Sequence, residues 1–337
     1  MIHLSTRPIE LTLSTPFRIS RGVQYTAANV VAELKYQDYT GYGEAAPSQY
    51  YGENAETVTT NLLAFADKLG ADPFLLEDIL SNLEKVIRLH PSAKAAVDMA
   101  LYDLIGKVLG VPVYRLLGLN PTNAAYTSFT IGIDTPAEMA KKVQQASAYP
   151  ILKIKVGTKQ DIEILKAIRD VSSAVIRVDA NAGWTPKEAI KNIEALVPYN
   201  IEFVEQPVTA HDLAGLKMIR EHSPLPIIAD ESCVSLHDIP RLSECVDGIN
   251  LKLMKNGGMH TVLKMIHTAR AHNLQVMLGC MIESSLAITA AAQLTPLVDY
   301  ADLDGHLLIK DDPYRGVQVE QGKLVLPDAP GLGVVMR

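Results

Sequence analysis

Cysteine is scarce in this chain, and the three present, Cys233, Cys245 and Cys280, show neither CxxC nor any other metal-ligand spacing. An odd, unpatterned count suits a reducing compartment. No apolar run reaches the roughly 18 residues that a membrane helix needs. The N-terminal MIHLSTRPIELTL carries Arg7 and Glu10 where an export signal would be apolar. A soluble, cytoplasmic protein is expected, with no membrane partner. Basic charge is also lacking: the formal net charge is -7 with both signs interspersed, which excludes the basic patch that nucleic-acid binding requires. A small-molecule substrate is the expected partner. What the chain does have is length, 337 residues, and 48% hydrophobic content, enough for a barrel with an appended domain.

The pattern changes twice along the chain. Between residues 2 and 47 the runs IELTLSTPF and ANVVAELKY alternate like strands, and YTGYG reads as a turn between strands. Between 54 and 117 apolar residues fall at helical spacing in three stretches, the last opening at Pro91 and stopping at Gly110. Residues 1–120 are therefore read as a small α+β domain. From about 125 the chain repeats a strand followed by an amphipathic helix, which implies a parallel sheet; eight such units imply a closed barrel over 121–310. The tail, 311–337, alternates around Gln321-Gly322 in VQVEQGKLVLP and reads as a hairpin returning to the first domain.

The eight apolar segments are YTSFTIGI, ILKIKVG, VIRVDANAG, IEFVEQP, PIIADES, GINLKLM, QVMLGCM and DYADLDG, and most end in a charge. In order these are Lys153 and Lys155, Asp179, Glu205, Asp230, Lys252, Glu283 just beyond the seventh, and Asp302 with Asp304. The C-terminal strand ends form the active-site face of such a barrel. Neighbouring strands lie about 4.8 Å apart, so Asp179, Glu205 and Asp230 on consecutive strands can converge. Clustered carboxylates raise one another's pKa unless a cation intervenes. Oxygen donors without histidine or cysteine favour Mg²⁺, or Mn²⁺, over Zn²⁺.

Lys153 and Lys155 are two apart and share a strand face; Lys252 approaches from the sixth strand. A lysine beside another cation has its pKa lowered and can act as a base. Lys255, just past the strand, is expected to be solvated. A metal with bases on two faces suits removal of a proton next to a substrate carboxylate through an enediolate, followed by reprotonation from the other side. The outcome is racemisation or epimerisation, unless a leaving group on the next carbon diverts the intermediate to elimination. A Schiff-base lysine or a non-catalytic binding barrel would be the rivals.

The set LKIKVG, VDANAGW, FVEQP, IADES and LKLMKNGG, with AKAAVDMALYDLIGKVLGVPVYRLLG before it and PGLGV at the end, resembles the enolase superfamily over essentially the whole chain. More narrowly it resembles the muconate-lactonising subgroup. The resemblance implies an α/β fold, a modified TIM (β/α)7β barrel closed over by the α+β capping domain, one Mg²⁺ per subunit and a homo-oligomer. It assigns Asp179, Glu205 and Asp230 to the metal, Lys155 and Lys252 to the acid-base steps, and Lys153 to the substrate carboxylate. The histidine and aspartate of the mandelate-racemase-like branch have no counterpart in QVMLGCM and INLKLM. Muconate cycloisomerases, o-succinylbenzoate synthases, N-acyl amino acid racemases and dipeptide epimerases remain. Asp302 and Asp304 resemble the Asp-x-Asp pair with which dipeptide epimerases hold a substrate ammonium, and Thr130, Cys280 and Ile282 match further substrate contacts. Arg21, with Arg18 nearby in PFRISRGVQY, matches the position that binds the glutamate side chain in Ala-Glu epimerases, a link to cell-wall peptide metabolism.

Overall fold

The computed structural model describes residues 1–337. Three antiparallel strands open the chain: β1 (His3–Ile19), β2 (Gly22–Tyr36) and β3 (Tyr39–Ala45), in the order β1-β2-β3. YTGYG is not the turn expected of it but the body of β3. The reversal falls instead at Gln37-Asp38, with Gln37 at φ 53. The glycines are there for packing. A Cβ on Gly41 would lie 2.1 Å from the Ala100 carbonyl oxygen and one on Gly43 2.0 Å from that of Ala96. Both carbonyls belong to α3 (Pro91–Leu109), which lies across the sheet after α1 (Ala55–Phe65) and α2 (Leu76–Val86). Leu62, Phe65, Ile79, Leu83 and Leu101 of these helices bury against Val30, Ala32 and Leu34 of β2. Pro91 at the first turn of α3 and the left-handed Gly110 at its end punctuate it as the sequence predicts.

The eight predicted barrel segments form eight parallel strands: β4 (Phe129–Ile131), β5 (Ile151–Lys155), β6 (Val175–Asp179), β7 (Ile201–Glu205), β8 (Ile227–Ala229), β9 (Gly248–Lys252), β10 (Gln275–Gly279) and β11 (Tyr300–Asp302). They pair in chain order. The ends meet through a parallel bridge between Thr127 and Ala301, with Ser128 N–H donating to Ala301 O at 3.1 Å. The last strand is followed by a 3-10 turn at Gly305–Leu307, not an α-helix, which makes the barrel (β/α)7β. Inside its floor the buried Arg177 pairs with Glu202 at 2.7 Å and lies 5.3 Å and 5.1 Å from the ring centres of Phe203 and Tyr300. That charged plug is sealed between aromatic faces, a cation-π arrangement that replaces part of the lost hydration. No helix is long and apolar enough to cross a membrane.

The tail hairpin forms, Gln318–Glu320 pairing with Lys323–Val325 around Gln321 and Gly322 at φ 49 and 83. It does not dock on the first domain as expected. Thr127 donates to Gly322 O at 2.8 Å and Leu324 to Ala125 O at 3.1 Å, so the hairpin extends the chain that enters β4. Contact with the first domain comes from its flanks: Lys310 N–H donates to Thr12 O at 3.0 Å, and Leu332 N–H to the Asp103 carboxylate at 2.8 Å.

Three buried acids tie the first domain to the rest of the chain, Glu44 and Asp98 to the barrel and Asp103 to the tail. Glu44 of β3 accepts from Asn29 Nδ2 at 2.7 Å and Ser284 N–H at 3.0 Å, at the start of the helix Ser285–Ala292. Asp103 bonds Lys107, Tyr42 and Leu332. Asp98 of α3 accepts the Met259 and His260 N–H groups at 2.7 Å and 3.1 Å, capping the barrel helix Met259–Ala271 from outside. Burial pushes the Asp98 carboxyl up to about 7, against those hydrogen bonds. A carboxyl raised above its unfolded value binds its proton more tightly when folded, so its stabilisation is lost as pH climbs from about 4 to about 7. Asp98→Asn should flatten that slope. Urea midpoints of the two proteins should converge near pH 7 or cross in favour of the variant; parallel curves from pH 4 to 8 would contradict it.

Candidate active site

Strand register assembles the site. Lys155 is level with Asp179, and Asp179 with Glu205, on three adjacent strands. All point inward, because successive residues of a strand alternate faces and Lys153, Asp179 and Glu205 are buried with the barrel interior. Lys155 Nζ lies 2.6 Å from Asp179 Oδ2. Lys153 Nζ lies among three acids, 3.0 Å from Asp179, 2.8 Å from Glu205 and 2.8 Å from Asp302. Lys252 Nζ is 2.7 Å from Asp230 Oδ2. β5 and β9 are four strands apart in an eight-stranded ring, so Lys155 and Lys252 enter from opposite walls.

Lys255 is not solvated. It is buried, with Nζ 2.6 Å from Asp230 Oδ1 and a second bond to the Asp230 carbonyl. The turn Leu253–Asn256 that follows β9 folds it back toward the barrel. Nor do Lys153 and Lys252 titrate low. Burial opposes the charge of Lys153, but Asp302, Glu205 and Asp179 outweigh it and hold the ammonium well above the ordinary lysine range. Lys252 is likewise raised, burial being outweighed by Asp230. Counting neighbouring cations without the carboxylates predicts the opposite sign. Burial also works against Asp179 and Asp230, yet Lys155 and Lys153 hold the first, and Lys252 and Lys255 the second, well below the usual carboxylate range. Glu205 goes the other way: burial, then Asp179, pushes it up to about 7.

Among Asp179, Glu205 and Asp230, Glu205 is the acid whose charge is least satisfied. Its Oε1 accepts from Asn250 Nδ2 at 2.8 Å, whereas Oε2, despite its ion pair with Lys153, receives no hydrogen bond. As the side chains stand, no group of three acidic, histidine or cysteine residues is placed to hold a metal ion, because Lys153 Nζ occupies the point among Asp179, Glu205 and Asp302. The donor chemistry nonetheless fits a hard divalent cation: three buried carboxylates, no softer donor, and one carboxylate oxygen without a hydrogen-bond donor.

Above these groups, between the barrel mouth and the first domain, lies a cavity of about 550 Å³. Lys153, Lys155, Lys252, Thr130, Asp302, Asp304, Cys280, Ile282 and Arg21 all line it; Asp179, Glu205 and Asp230 sit behind the lysines. Arg18 does not line it. Phe17, Ile19 and Arg21 alternate onto the cavity face and Arg18 onto the other. Asp302 accepts from Ser128 Oγ at 2.6 Å, and Asp304 from Thr130 N–H at 2.6 Å. Burial and then Asp302 push Asp304 up to about 7, while Lys153 overcomes burial and lowers Asp302. Burial, with Glu283, Asp304 and Asp302, keeps the Cys280 thiol well above its ordinary value. Glu283 is itself raised by burial to about 8.

Sequence reasoning misses the groups that hold these side chains in place. Asn250 could have been found, since it precedes Lys252 by two and shares its inward face. Gly279 leaves room for it: a Cβ there would lie 2.7 Å from Asn250 Oδ1. Gln206 gives no such signal. It sits at φ 34, and its buried amide accepts from Asp230 N–H at 2.9 Å and Ser232 N–H at 3.1 Å while donating to Ser232 Oγ and Val208 O.

Residues 136–337 match the enolase C-terminal domain-like family, and residues 1–118 the N-terminal domain of the mandelate racemase / muconate lactonizing enzyme family. The chain belongs to this branch of the enolase superfamily and is an isomerase. It is 44% identical to an L-Ala-D/L-Glu epimerase of Bacteroides thetaiotaomicron, over 97% of this chain and 86% of that one. A crystal structure of a dipeptide epimerase from Enterococcus faecalis, complexed with Mg and L-Leu-L-Tyr, superimposes with a TM-score of 0.94 at 38% identity, covering 98% of both chains. A substrate-liganded L-Ala-D/L-Glu epimerase from Bacillus subtilis gives the same TM-score at 34% identity, over 99% of this chain and 98% of that one.

Proposed function

We propose that this enzyme is a Mg²⁺-dependent dipeptide epimerase that inverts the α-carbon of the C-terminal residue, with Ala-Glu preferred. The observation that carries the reading is the pair Lys155 and Lys252 on opposite walls of one cavity that also exposes Asp302 and Asp304. Muconate and succinylbenzoate have no cation for such an acidic pair. Asp179, Glu205 and Asp230 would hold the metal, which when bound withdraws charge from the substrate carboxylate and makes the adjacent proton more acidic. Lys153 faces that carboxylate. One of Lys155 and Lys252, in its neutral form, takes the α-proton; the other, as the ammonium, delivers a proton to the opposite face of the planar enediolate. Asp302 and Asp304, with Thr130, receive the substrate ammonium, and Cys280 and Ile282 border it. The ammonium would exchange with Lys153 for Asp302, since the two now pair at 2.8 Å.

Arg21 would meet the side chain of the epimerised residue. Both its hydrogen bonds leave from Nη1, so Nε and Nη2 remain for a carboxylate, and guanidinium suits bidentate capture. Arg21→Ala should raise KM for L-Ala-L-Glu at least about tenfold while sparing uncharged dipeptides, the cost of one charge-assisted pair. Equal losses for L-Ala-L-Glu and L-Ala-L-Leu would remove the Ala-Glu preference. The reaction itself is tested by incubating a dipeptide panel with Mg²⁺ in D₂O and following the C-terminal α-signal by NMR. Turnover of a succinylbenzoate precursor without exchange in any dipeptide would transfer the assignment to o-succinylbenzoate synthase.

A further inference from the structure

Arg21 reaches the cavity already engaged. Its Nη1 donates to Glu231 Oε1 at 2.6 Å and to Asn181 O at 2.9 Å, and the Tyr50 ring lies 4.6 Å from the guanidinium carbon. The Glu231 side chain is 2% exposed against 35% for Arg21, and Glu231 is not among the cavity-lining residues. Asn181 Nδ2 also points at Glu231 Oε1, at 3.3 Å, so that one oxygen gathers two donors while Oε2 receives none. A side cavity of about 310 Å³ adjoins the first, and Arg21 and Asn181 line both. Arg21 is thus a wall between two open spaces, fixed by one nitrogen and one ring face. Asn181 cannot easily move away: it is held at φ 44 with its N–H on Asp179 Oδ1 at 2.9 Å.

We propose that Glu231 is a specificity-determining residue that acts through Arg21, holding the guanidinium in one orientation and cancelling its charge. The inference rests on Arg21 as the side-chain subsite. It has a consequence that Arg21 alone does not: the subsite selects a C-terminal side chain by hydrogen-bond geometry at Nε and Nη2, and only weakly by net charge. Acidic residues are therefore preferred over neutral ones by a smaller margin than an unpaired arginine would give, because an incoming carboxylate meets Arg21 and Glu231 together. Glu231→Gln keeps the side-chain shape and an oxygen acceptor for Nη1 and removes only the charge.

The test compares L-Ala-L-Glu with L-Ala-L-Leu in the Mg²⁺-loaded enzyme. In Glu231→Gln the ratio of KM for Ala-Glu to KM for Ala-Leu should fall about fivefold, the size of one uncompensated charge felt across several ångströms of partly solvated space. The ratio of the two kcat values should not follow it. Any disturbance reaching the neighbouring Asp230 acts on both substrates and leaves the KM ratio alone. An unchanged KM ratio in Glu231→Gln, beside a shifted one in Arg21→Ala, overturns this inference and spares the Arg21 assignment; no shift in Arg21→Ala removes both. The wild-type protein supplies a second measurement. A compensated subsite predicts a KM ratio nearly independent of ionic strength between about 20 and about 300 mM KCl, across the range where screening grows. A steep rise with salt would show an uncompensated Arg21.

Discussion

Lys252→Ala and Lys155→Ala are each expected to lower kcat for epimerisation by about a thousandfold, within the range for loss of a positioned proton carrier. The two variants should differ in what survives. Inversion needs a base on one wall and an acid on the other, so both lose it. Exchange of the α-proton with D₂O needs only the base that faces it, so each variant should still exchange one stereoisomer and fail with the other, in complementary fashion. NMR of L-Ala-L-Glu and L-Ala-D-Glu in D₂O separates the cases. If either variant exchanged both isomers, or if both lost the same one, the two-wall assignment would fail. Lys252 pairs with Asp230 at 2.7 Å, which raises its pKa although burial opposes the charge.

Gly43→Ala should have the largest effect on stability. Its Cβ would sit 2.0 Å from the Ala96 carbonyl oxygen and 2.8 Å from the Ala100 nitrogen, both backbone atoms of α3, so no flexible side chain can yield. The helix would have to lift from β3. Overpacking of this kind costs about 1–3 kcal/mol and more where backbone must move, and we expect at least about 3 kcal/mol by urea denaturation. Asp98 and Asp103 lie on the same helix and bind the barrel and the tail, so the shift should also loosen the cap. A loss below about 1 kcal/mol would mean that α3 relaxes freely.

The barrel is legible in the sequence because its signal is local. ILKIKVG or QVMLGCM is an apolar segment bounded by glycine and polar residues, and eight recur in register with helices between them. Gly41 and Gly43 misled for an equally local reason: glycine in a Tyr-rich run reads as a turn, and the helix that demands it is more than fifty positions away. The hairpin at Gln321-Gly322 was readable as a hairpin; its partner, the chain at 125–127, was not.

Strand position and charge, taken from the sequence alone, marked the acids ending β6 and β7 and following β8, and the lysines of β5 and β9, because barrel topology maps a residue at a strand end onto one face. Everything that depends on which charge lies nearest was decided by the tertiary structure. Lys255 looked like a solvated residue and is bound to Asp230; Lys252 looked like a lowered base and has its pKa raised by Asp230; Arg21 was matched to a substrate position and is paired with Glu231. Each depends on distances of 2.6 to 2.7 Å between residues up to 210 positions apart. Coulomb energy falls with distance and rises as water is excluded, and only the packed fold sets both.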